Sequence, residues 1–208
     1  MKKSIALLAL FCIAACDQQE STFTDTRDGK KYNTVKIGEQ VWMAENLNYD
    51  AEGNRCYNDS ISYCDKYGRL YDWATAMKAC PKGWHLPSNA EWDKLLRFVD
   101  DTSGTESPYH SKTTAGKHLR LTSGWNELGS GWDEFNNGED TYGFSALPGG
   151  CGDSGVGFYG VDYKVYWWSS SEHSSESAYY LDMLYTSEGA SFNKHSKDYL
   201  RSVRCVKD

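Results

Sequence analysis

An acidic stretch at residues 133–140 holds the side chains best suited to bind a metal ion. Its carboxylate and amide oxygens include those of Asp133, Asn136, Asn137 and Asp140. Calcium takes about six to eight oxygen ligands, and side chains on a flexible loop can supply them. The stretch lacks the residue spacing of an EF-hand loop. Two interpretations therefore stay open: a calcium site at these four residues, and a solvated acidic loop without a metal.

Aromatic side chains are scattered through the Gly-, Ser- and Asn-rich region at residues 102–163. Flat aromatic rings are good platforms for sugar rings, because they offer a large apolar area and lose little conformational entropy. We therefore predict ligand contact for Trp125, Trp132, Tyr159 and Tyr163. Trp167 and Trp168 are consecutive in a segment typical of a strand, where neighbouring side chains point to opposite faces. At most one of the two tryptophans is thus expected to reach solvent.

No pattern in the sequence selects a catalytic site. The 5 histidines are scattered, and no nucleophile and acid are grouped with any of them. His85 lies between Trp84 and Leu86, which favours a buried structural role. The serines at residues 169–171 lack the Gly-x-Ser-x-Gly turn of a nucleophilic serine. We expect that the protein is not an enzyme.

The N-terminus predicts export and lipidation. Lys2 and Lys3 precede a mostly apolar run that ends in Ile13-Ala14-Ala15-Cys16, which resembles a bacterial lipobox. The run is well short of the about 20 residues that span a bilayer. Residues 1–15 are therefore predicted to be a signal peptide, and Cys16 the lipidated first residue of the mature protein. The polar residues 16–28 are predicted to be a flexible tether, and residues 29–208 a single domain.

The composition of the chain bears on its partners and on its fold class. The chain has 208 residues, 8 Trp, 15 Tyr, 19 Gly and a net charge of −7. An acidic chain without a basic patch argues against nucleic acid and anionic lipid head groups as partners. Many aromatics and turn residues with few long aliphatic runs favour a loop-rich α+β domain.

The cysteines indicate disulfides. Loss of Cys12 with the signal peptide and lipidation of Cys16 leave Cys56, Cys64, Cys80, Cys151 and Cys205. No pair has CxxC spacing and no histidine stands at a metal-ligand distance, so a zinc site is not expected. An odd number leaves a free thiol or an intermolecular bond. The polar loop between Cys56 and Cys64 is suited to a local disulfide.

Local patterns predict several elements. Residues 31–37 and 40–43 around Gly38-Glu39 predict a hairpin. Residues 70–79 predict a helix that buries Leu70, Trp73, Ala74 and Met77. Residues 88–100 predict a second helix, because Ser88 and Glu91 form a capping box before an apolar stripe. Strand patterns at residues 165–169, 178–183 and 200–206 predict a final antiparallel meander.

Several motifs follow one another along most of the chain. They are Asp28-Gly29-Lys30-Lys31-Tyr32, Val41-Trp42-Met43-Ala44-Glu45-Asn46-Leu47-Asn48-Tyr49, Tyr67-Gly68-Arg69-Leu70-Tyr71-Asp72-Trp73, Cys80-Pro81-Lys82-Gly83-Trp84-His85-Leu86-Pro87-Ser88, Glu91-Trp92, Tyr142-Gly143-Phe144-Ser145-Ala146-Leu147-Pro148-Gly149-Gly150, Tyr166-Trp167-Trp168-Ser169-Ser170-Ser171-Glu172 and Ser202-Val203-Arg204-Cys205-Val206. In this order they resemble the Fibrobacter succinogenes major paralogous domain, and the resemblance covers essentially residues 28–208.

The resemblance implies a fold and a pairing of cysteines. The family is similar to C-type lectin-like domains and to the sulfatase-modifying-factor group. That similarity implies an α+β domain with two helices, a small twisted antiparallel sheet and a long irregular loop region, with Trp167 and Trp168 in the common core. It also implies a disulfide from Cys80 to Cys205, which leaves Cys56 with Cys64 and a free Cys151.

The resemblance implies no general enzymatic activity. The sugar motifs Glu-Pro-Asn and Trp-Asn-Asp of calcium-dependent lectins are absent from the sequence. The close cysteine pair that holds copper in formylglycine-generating enzymes is absent too, since only Cys205 lies near the C-terminus.

We therefore expect a non-enzymatic binding module, lipid-anchored outside the cytoplasm at the outer membrane or cell surface. Its expected ligand is polysaccharide, and it needs no cofactor other than the calcium considered above. The alternative is a structural or protein-interaction lipoprotein that contacts an envelope protein.

Overall fold

The computed structural model describes residues 21–100, 114–125, 137–153, 155 and 157–208. The strands in these residues are β1 (Ser21–Thr24), β2 (Lys31–Ile37), β3 (Gln40–Met43), β4 (Asn54–Arg55), β5 (Leu70–Tyr71), β6 (Trp84–His85), β7 (Gly149–Gly152), β8 (Phe158–Val161), β9 (Lys164–Glu172), β10 (Ser177–Leu184), β11 (Ala190–Ser196), β12 (Arg201–Ser202) and β13 (Val206–Lys207). The helices are α1 (Ile61–Tyr67), α2 (Trp73–Ala79), α3 (Asn89–Val99) and α4 (Ala115–Leu119), with a 3-10 turn at Tyr57–Asp59. The α+β class is confirmed, with four described helices where two were expected. None of these helices is long and apolar enough to cross a membrane.

The first sheet has five strands in the order β1-β2-β3-β13-β6. The predicted hairpin is confirmed, with Val35 opposite Trp42 in the β2–β3 pair. Strand β1 corrects the predicted tether, because residues 21–24 pair with β2 in register from Ser21 opposite Thr34. Phe23 of this strand packs on Trp84 with ring centroids 5.2 Å apart. The N-terminal strand is thus held by both backbone pairing and ring contact.

The second sheet has eight strands, most of them in the order β11-β10-β9-β12-β5-β4. The predicted small antiparallel sheet was wrong in size and in pairing. Strand β12 is parallel to β9, with Ser202 opposite Trp167, and antiparallel to β5. The predicted strand at residues 200–206 therefore breaks in two. Its middle bonds elsewhere: the Met43 and Leu47 N–H groups donate to the carbonyls of Cys205 and Val203.

The capped helix α3 is confirmed. The Ser88 hydroxyl accepts from the Glu91 N–H at 3.3 Å, and the Glu91 carboxylate accepts from the Ser88 N–H at 2.8 Å. Helix α2 begins later than predicted, because Asp72 caps it by accepting from the Thr75 N–H at 2.8 Å. Its buried side chains include Ala76 and Ala79, whereas Met77 is 42% exposed. The predicted burial of Ala74 and Met77 was therefore wrong.

Trp167 and Trp168 are buried on opposite faces of β9. Trp167 packs against Trp92 with ring centroids 5.7 Å apart, in the core that holds α3. Trp168 lies in the other core, where its indole N–H donates to the Tyr71 carbonyl at 2.8 Å. Neither tryptophan reaches solvent because this strand is covered on both faces.

Both disulfides have the pairing that the resemblance implied. Cys56 bonds to Cys64, and Cys80 bonds to Cys205. The long-range bond joins the end of α2 to the segment between β12 and β13, and so ties the helical region to the C-terminus.

Removing the long-range disulfide should destabilise the protein much more than removing the local one. In the chain-entropy treatment, the loop of 125 residues is worth about 5 kcal/mol and the loop of 8 residues about 2–3 kcal/mol. We expect urea unfolding to show this difference in the free energy of unfolding between two double variants. One variant carries Cys80→Ala and Cys205→Ala, and the other carries Cys56→Ala and Cys64→Ala. Equal losses would contradict a loop-closure origin of the stabilisation.

His85 was predicted to be buried, and this prediction was wrong. Its side chain is 39% exposed and lies between two carboxylates, with Nε2 at 2.6 Å from Glu91 and Nδ1 at 2.7 Å from Asp208. Burial alone would lower the pKa of His85, but the hydrogen bonds to Asp208 and Glu91 raise it above its ordinary value of 6.5. This histidine therefore joins β6, the start of α3 and the C-terminal residue through its charged form.

The raised pKa of His85 predicts a loss of stability with pH. The contribution of charged His85 to the free energy of unfolding is complete below its ordinary pKa of 6.5. It is lost as pH rises through the higher pKa of the folded state. We expect His85→Gln to remove this loss from unfolding curves measured between about pH 5 and about pH 9. The exposed His173 provides the control, and His173→Gln should leave the wild-type pH dependence intact. A wild-type slope that persists in His85→Gln would assign it to another group.

Candidate ligand-binding face

The structure separates the residues predicted to contact ligand. Trp132, Asp133 and Asn136 lie outside the described residues. Trp125 is fully buried, and its indole N–H donates to the Ala146 carbonyl at 2.9 Å. The predicted ligand contact of Trp125 is therefore wrong, because its ring is part of the core.

Asn137 and Asp140 hold their own loop together. The Asn137 side-chain oxygen accepts from the Trp125 N–H at 3.0 Å. The Asp140 carboxylate accepts from both the N–H and the hydroxyl of Ser145, each at 2.8 Å. Among the residues with described positions, no group of three His, Cys, Asp or Glu residues is placed to hold a metal ion. Calcium binding at residues 133–140 stays a prediction.

Tyr159 and Tyr163 are almost equally exposed, at 43% and 42%, but they have different surroundings. Tyr163 follows β8 and packs edge-on against Tyr185, with ring centroids 5.3 Å apart. Tyr159 lies within β8 opposite Cys151 and is hydrogen-bonded to its thiol. Of these two tyrosines, only Tyr159 adjoins the larger group of aromatic side chains around Arg201, because the Cys151 thiol is hydrogen-bonded to both Tyr159 and Arg201.

We call this group the tyrosine face. It consists of Tyr159, Tyr166, Tyr180, Asp182, Asn193, Tyr199 and Arg201. Strand register explains why they meet: Tyr166 lies opposite Asp182, and Tyr180 lies opposite Asn193. Alternate residues of a strand share a face, so this side of β9, β10 and β11 carries a continuous set of tyrosines and polar groups.

Arg201 is the centre of the tyrosine face. It is only 2% exposed, and its guanidinium carbon lies 3.8 Å from the ring centroid of Tyr180 and 5.1 Å from that of Tyr166. Trp168 and Tyr199 lie at 4.8 and 5.6 Å. No carboxylate of the described chain forms an ion pair with it, and its buried Nε has no hydrogen-bond partner there. Aromatic rings, rather than a carboxylate, therefore surround this cation.

Asp182 adds a buried carboxyl beside the rings. It is 5% exposed, and one oxygen accepts from the Asn193 amide at 2.6 Å. Burial raises the pKa of Asp182, although the Asn193 hydrogen bond and the charge of Arg201 act in the opposite direction. The net shift means that the fold disfavours the charged form of this carboxyl.

Cys151 is free and fully buried, behind Tyr159. Burial raises the pKa of its thiol, which keeps it protonated and unreactive at neutral pH. The intermolecular bond considered for an odd cysteine would require this side chain to leave the core. Burial also raises the pKa of Tyr159 and Tyr166, so their hydroxyls stay neutral hydrogen-bonding groups.

The tyrosine face combines ring surface, neutral hydroxyls and one amide–carboxyl pair, groups that can stack on a ligand and form hydrogen bonds with it. Sequence analysis found Tyr159 but missed Tyr166, Tyr180, Tyr199 and Arg201. The period of two within β9 and β10 places Tyr166 and Tyr180 on one side of their strands. The pairing of β12 with β9, which brings in Arg201, had no local signal.

Asp182→Asn should stabilise the protein at neutral pH, because it removes a charge that the fold disfavours. We expect a higher midpoint of thermal unfolding at about pH 7, and a gain that vanishes below the ordinary pKa of 3.8, where both forms are neutral. The exposed Asp198 serves as control, and Asp198→Asn should leave the midpoint unchanged. A lower midpoint for Asp182→Asn would show that Arg201 stabilises the charged carboxyl.

Comparison with known proteins gives one match. The family model described as the Fibrobacter succinogenes major domain matches residues 35–207. No curated protein and no solved structure matches the chain. Since the match takes in most of the sequence and all strands from β3 to β13, the chain belongs to the Fibrobacter succinogenes major domain family.

Proposed function

We propose that this protein is a non-enzymatic binding module for polysaccharide, displayed on the cell envelope by a lipid on Cys16. The observation that carries the proposal is the tyrosine face. Tyr166, Tyr180 and Tyr199 surround Arg201. Tyr159 is linked to Arg201 through hydrogen bonds with the Cys151 thiol, and Asp182 accepts from the Asn193 amide. The lipobox at Ile13-Ala14-Ala15-Cys16 and the predicted signal peptide support export, lipidation and the outer membrane or cell surface as the location.

The lectin-like relationship of the fold is part of this proposal. Two sheets joined by the C-terminal segment from β12 to β13 support it, as does a disulfide from the helical region to that segment. The tyrosine face lies outside the acidic stretch where calcium was considered, so the proposed sugar contact needs no metal.

Burial and charge support binding without catalysis. The thiol of Cys151 is protonated and lies behind a tyrosine, so the face offers no activated nucleophile. The half-buried rings of Tyr166, Tyr180 and Tyr199 are held by their neighbours. A ring that is fixed before binding loses little entropy when a sugar stacks on it, which favours affinity.

Tyr159→Ala should weaken polysaccharide binding by at least about tenfold, because removing an anchoring aromatic side chain commonly costs more than about 1–2 kcal/mol. The measurement is retention on insoluble cellulose and xylan of a soluble form that begins after Cys16, with calcium and with a chelator. Tyr159→Phe keeps the ring and should keep binding. Tyr163→Ala is the matched control, since that tyrosine is equally exposed but packs on Tyr185.

The outcomes of the retention assay distinguish the tyrosine face from the acidic stretch and from a protein partner. Equal losses in Tyr159→Ala and Tyr163→Ala would contradict a site at the tyrosine face. Retention that requires calcium would transfer the site to residues 133–140. Absence of retention on both polymers, together with crosslinking in cells to one defined protein, would favour the protein-interaction lipoprotein instead.

A further inference from the structure

A second candidate site lies in a cleft that shares no residue with the tyrosine face. The cleft has a volume of about 320 Å³ and lies between the segment after β3, the end of α1 and the residues around Ser145. This volume is at the lower end of the range for small-molecule sites. It suits a ligand of the size of one sugar ring.

Arg204 lines this cleft although its side chain is 1% exposed. Its Nη1 donates to the carbonyls of Phe144 and Met43 at 2.6 and 3.1 Å, and its Nε donates to the Asn46 side-chain oxygen at 3.0 Å. Within the described ranges, no hydrogen bond holds the remaining Nη2. Two of the three guanidinium nitrogens are thus fixed by the fold, and one is left for a ligand.

No neighbouring anion of the described chain compensates the charge of Arg204, although the Phe144 ring lies 4.5 Å from its guanidinium carbon. No carboxylate in the described part of the chain lies at ion-pair distance, and Glu45 and Asp140 act on it only at longer range. Burial lowers the pKa of Arg204 to about 9, which still leaves the guanidinium charged at neutral pH. A buried cation without a counter-charge is costly, and an anion that enters the cleft would relieve that cost.

The rim of the cleft adds further positive charge and one unsatisfied acceptor. Lys31 and Lys66 line it and are exposed. Glu45 and Asp65 also line it, and the Glu45 carboxylate already accepts from the Asn33 N–H at 2.9 Å. The Asn48 side-chain oxygen is buried without a partner. A ligand that satisfies the cleft therefore needs an acidic group for the cations and a hydroxyl donor for Asn48.

We propose that this cleft binds a hydroxylated carboxylate of the size of a single sugar residue, that is, a uronic acid. Its carboxylate accepts from Arg204 and is attracted by the lysines of the rim, and one of its hydroxyls donates to Asn48. The site acts independently of polysaccharide stacking on the tyrosine face.

Isothermal titration of the chain from Asp17 to Asp208 tests this proposal with glucuronate, glucose and acetate as probes. We expect glucuronate to bind at least about tenfold more tightly than either of the others, since each lacks one of the two required groups. Lys66→Gln should weaken glucuronate binding about threefold or more, and added salt should have the same effect. Lys36→Gln is the matched control, because Lys36 is an exposed lysine of β2 outside the cleft.

Three results would overturn the proposal. Equal affinity for glucose and glucuronate, or no heat with glucuronate, would exclude recognition of the carboxylate. Equal affinity for acetate and glucuronate would exclude the hydroxyl contact at Asn48. The test uses no substitution of Arg204, because this buried arginine also holds the fold together. Tyr159→Ala should keep glucuronate binding, so failure at one site is distinguishable from failure at the other.

Discussion

The side-chain amide of Asn46 joins parts of the chain that are far apart in sequence. Its oxygen accepts from the Trp167 indole at 2.8 Å and from Arg204 at 3.0 Å. Its nitrogen donates to the Tyr67 carbonyl at 2.9 Å and to the Ser202 hydroxyl at 3.4 Å. All four hydrogen-bonding positions of one buried amide are therefore used. A shorter or apolar residue would leave several buried groups unsatisfied, at about 1–3 kcal/mol for each of them.

The two sheets depend on this amide because their strands reach it from different directions. Trp167 belongs to β9, Ser202 to β12, and Arg204 to the segment that crosses into β13 of the other sheet. Gly68 ends α1 with φ of +78°, and a Cβ atom there would lie 2.8 Å from the Cβ of Asn46. The close approach of α1 to the amide thus requires glycine at this position.

The parts of the fold that follow from local pattern could be predicted from the sequence. The hairpin at Gly38 and the capping box at Ser88 depend on residues close together in the chain. The parallel pairing of Ser202 with Trp167 depends on distant residues, and β11 ends in a mostly exposed, polar segment whose alternation is weak. The motifs that identify the family include Trp42, Asn46, Trp167 and Arg204, all of which are buried. They specify how the chain packs, whereas the tyrosine face is assembled from residues whose individual patterns predict only strands or loops.

Strand β1 limits how far the first sheet can lie from Cys16, the residue proposed to carry the lipid. Only residues 17–20 separate Cys16 from Ser21, so even a fully extended chain spans at most about 18 Å between them. That is less than the diameter of a domain of this size, which is roughly 35 Å or more. Under the lipid anchor proposed at Cys16, the domain would therefore stay close to the bilayer. Its ligands would then have to come to the membrane surface.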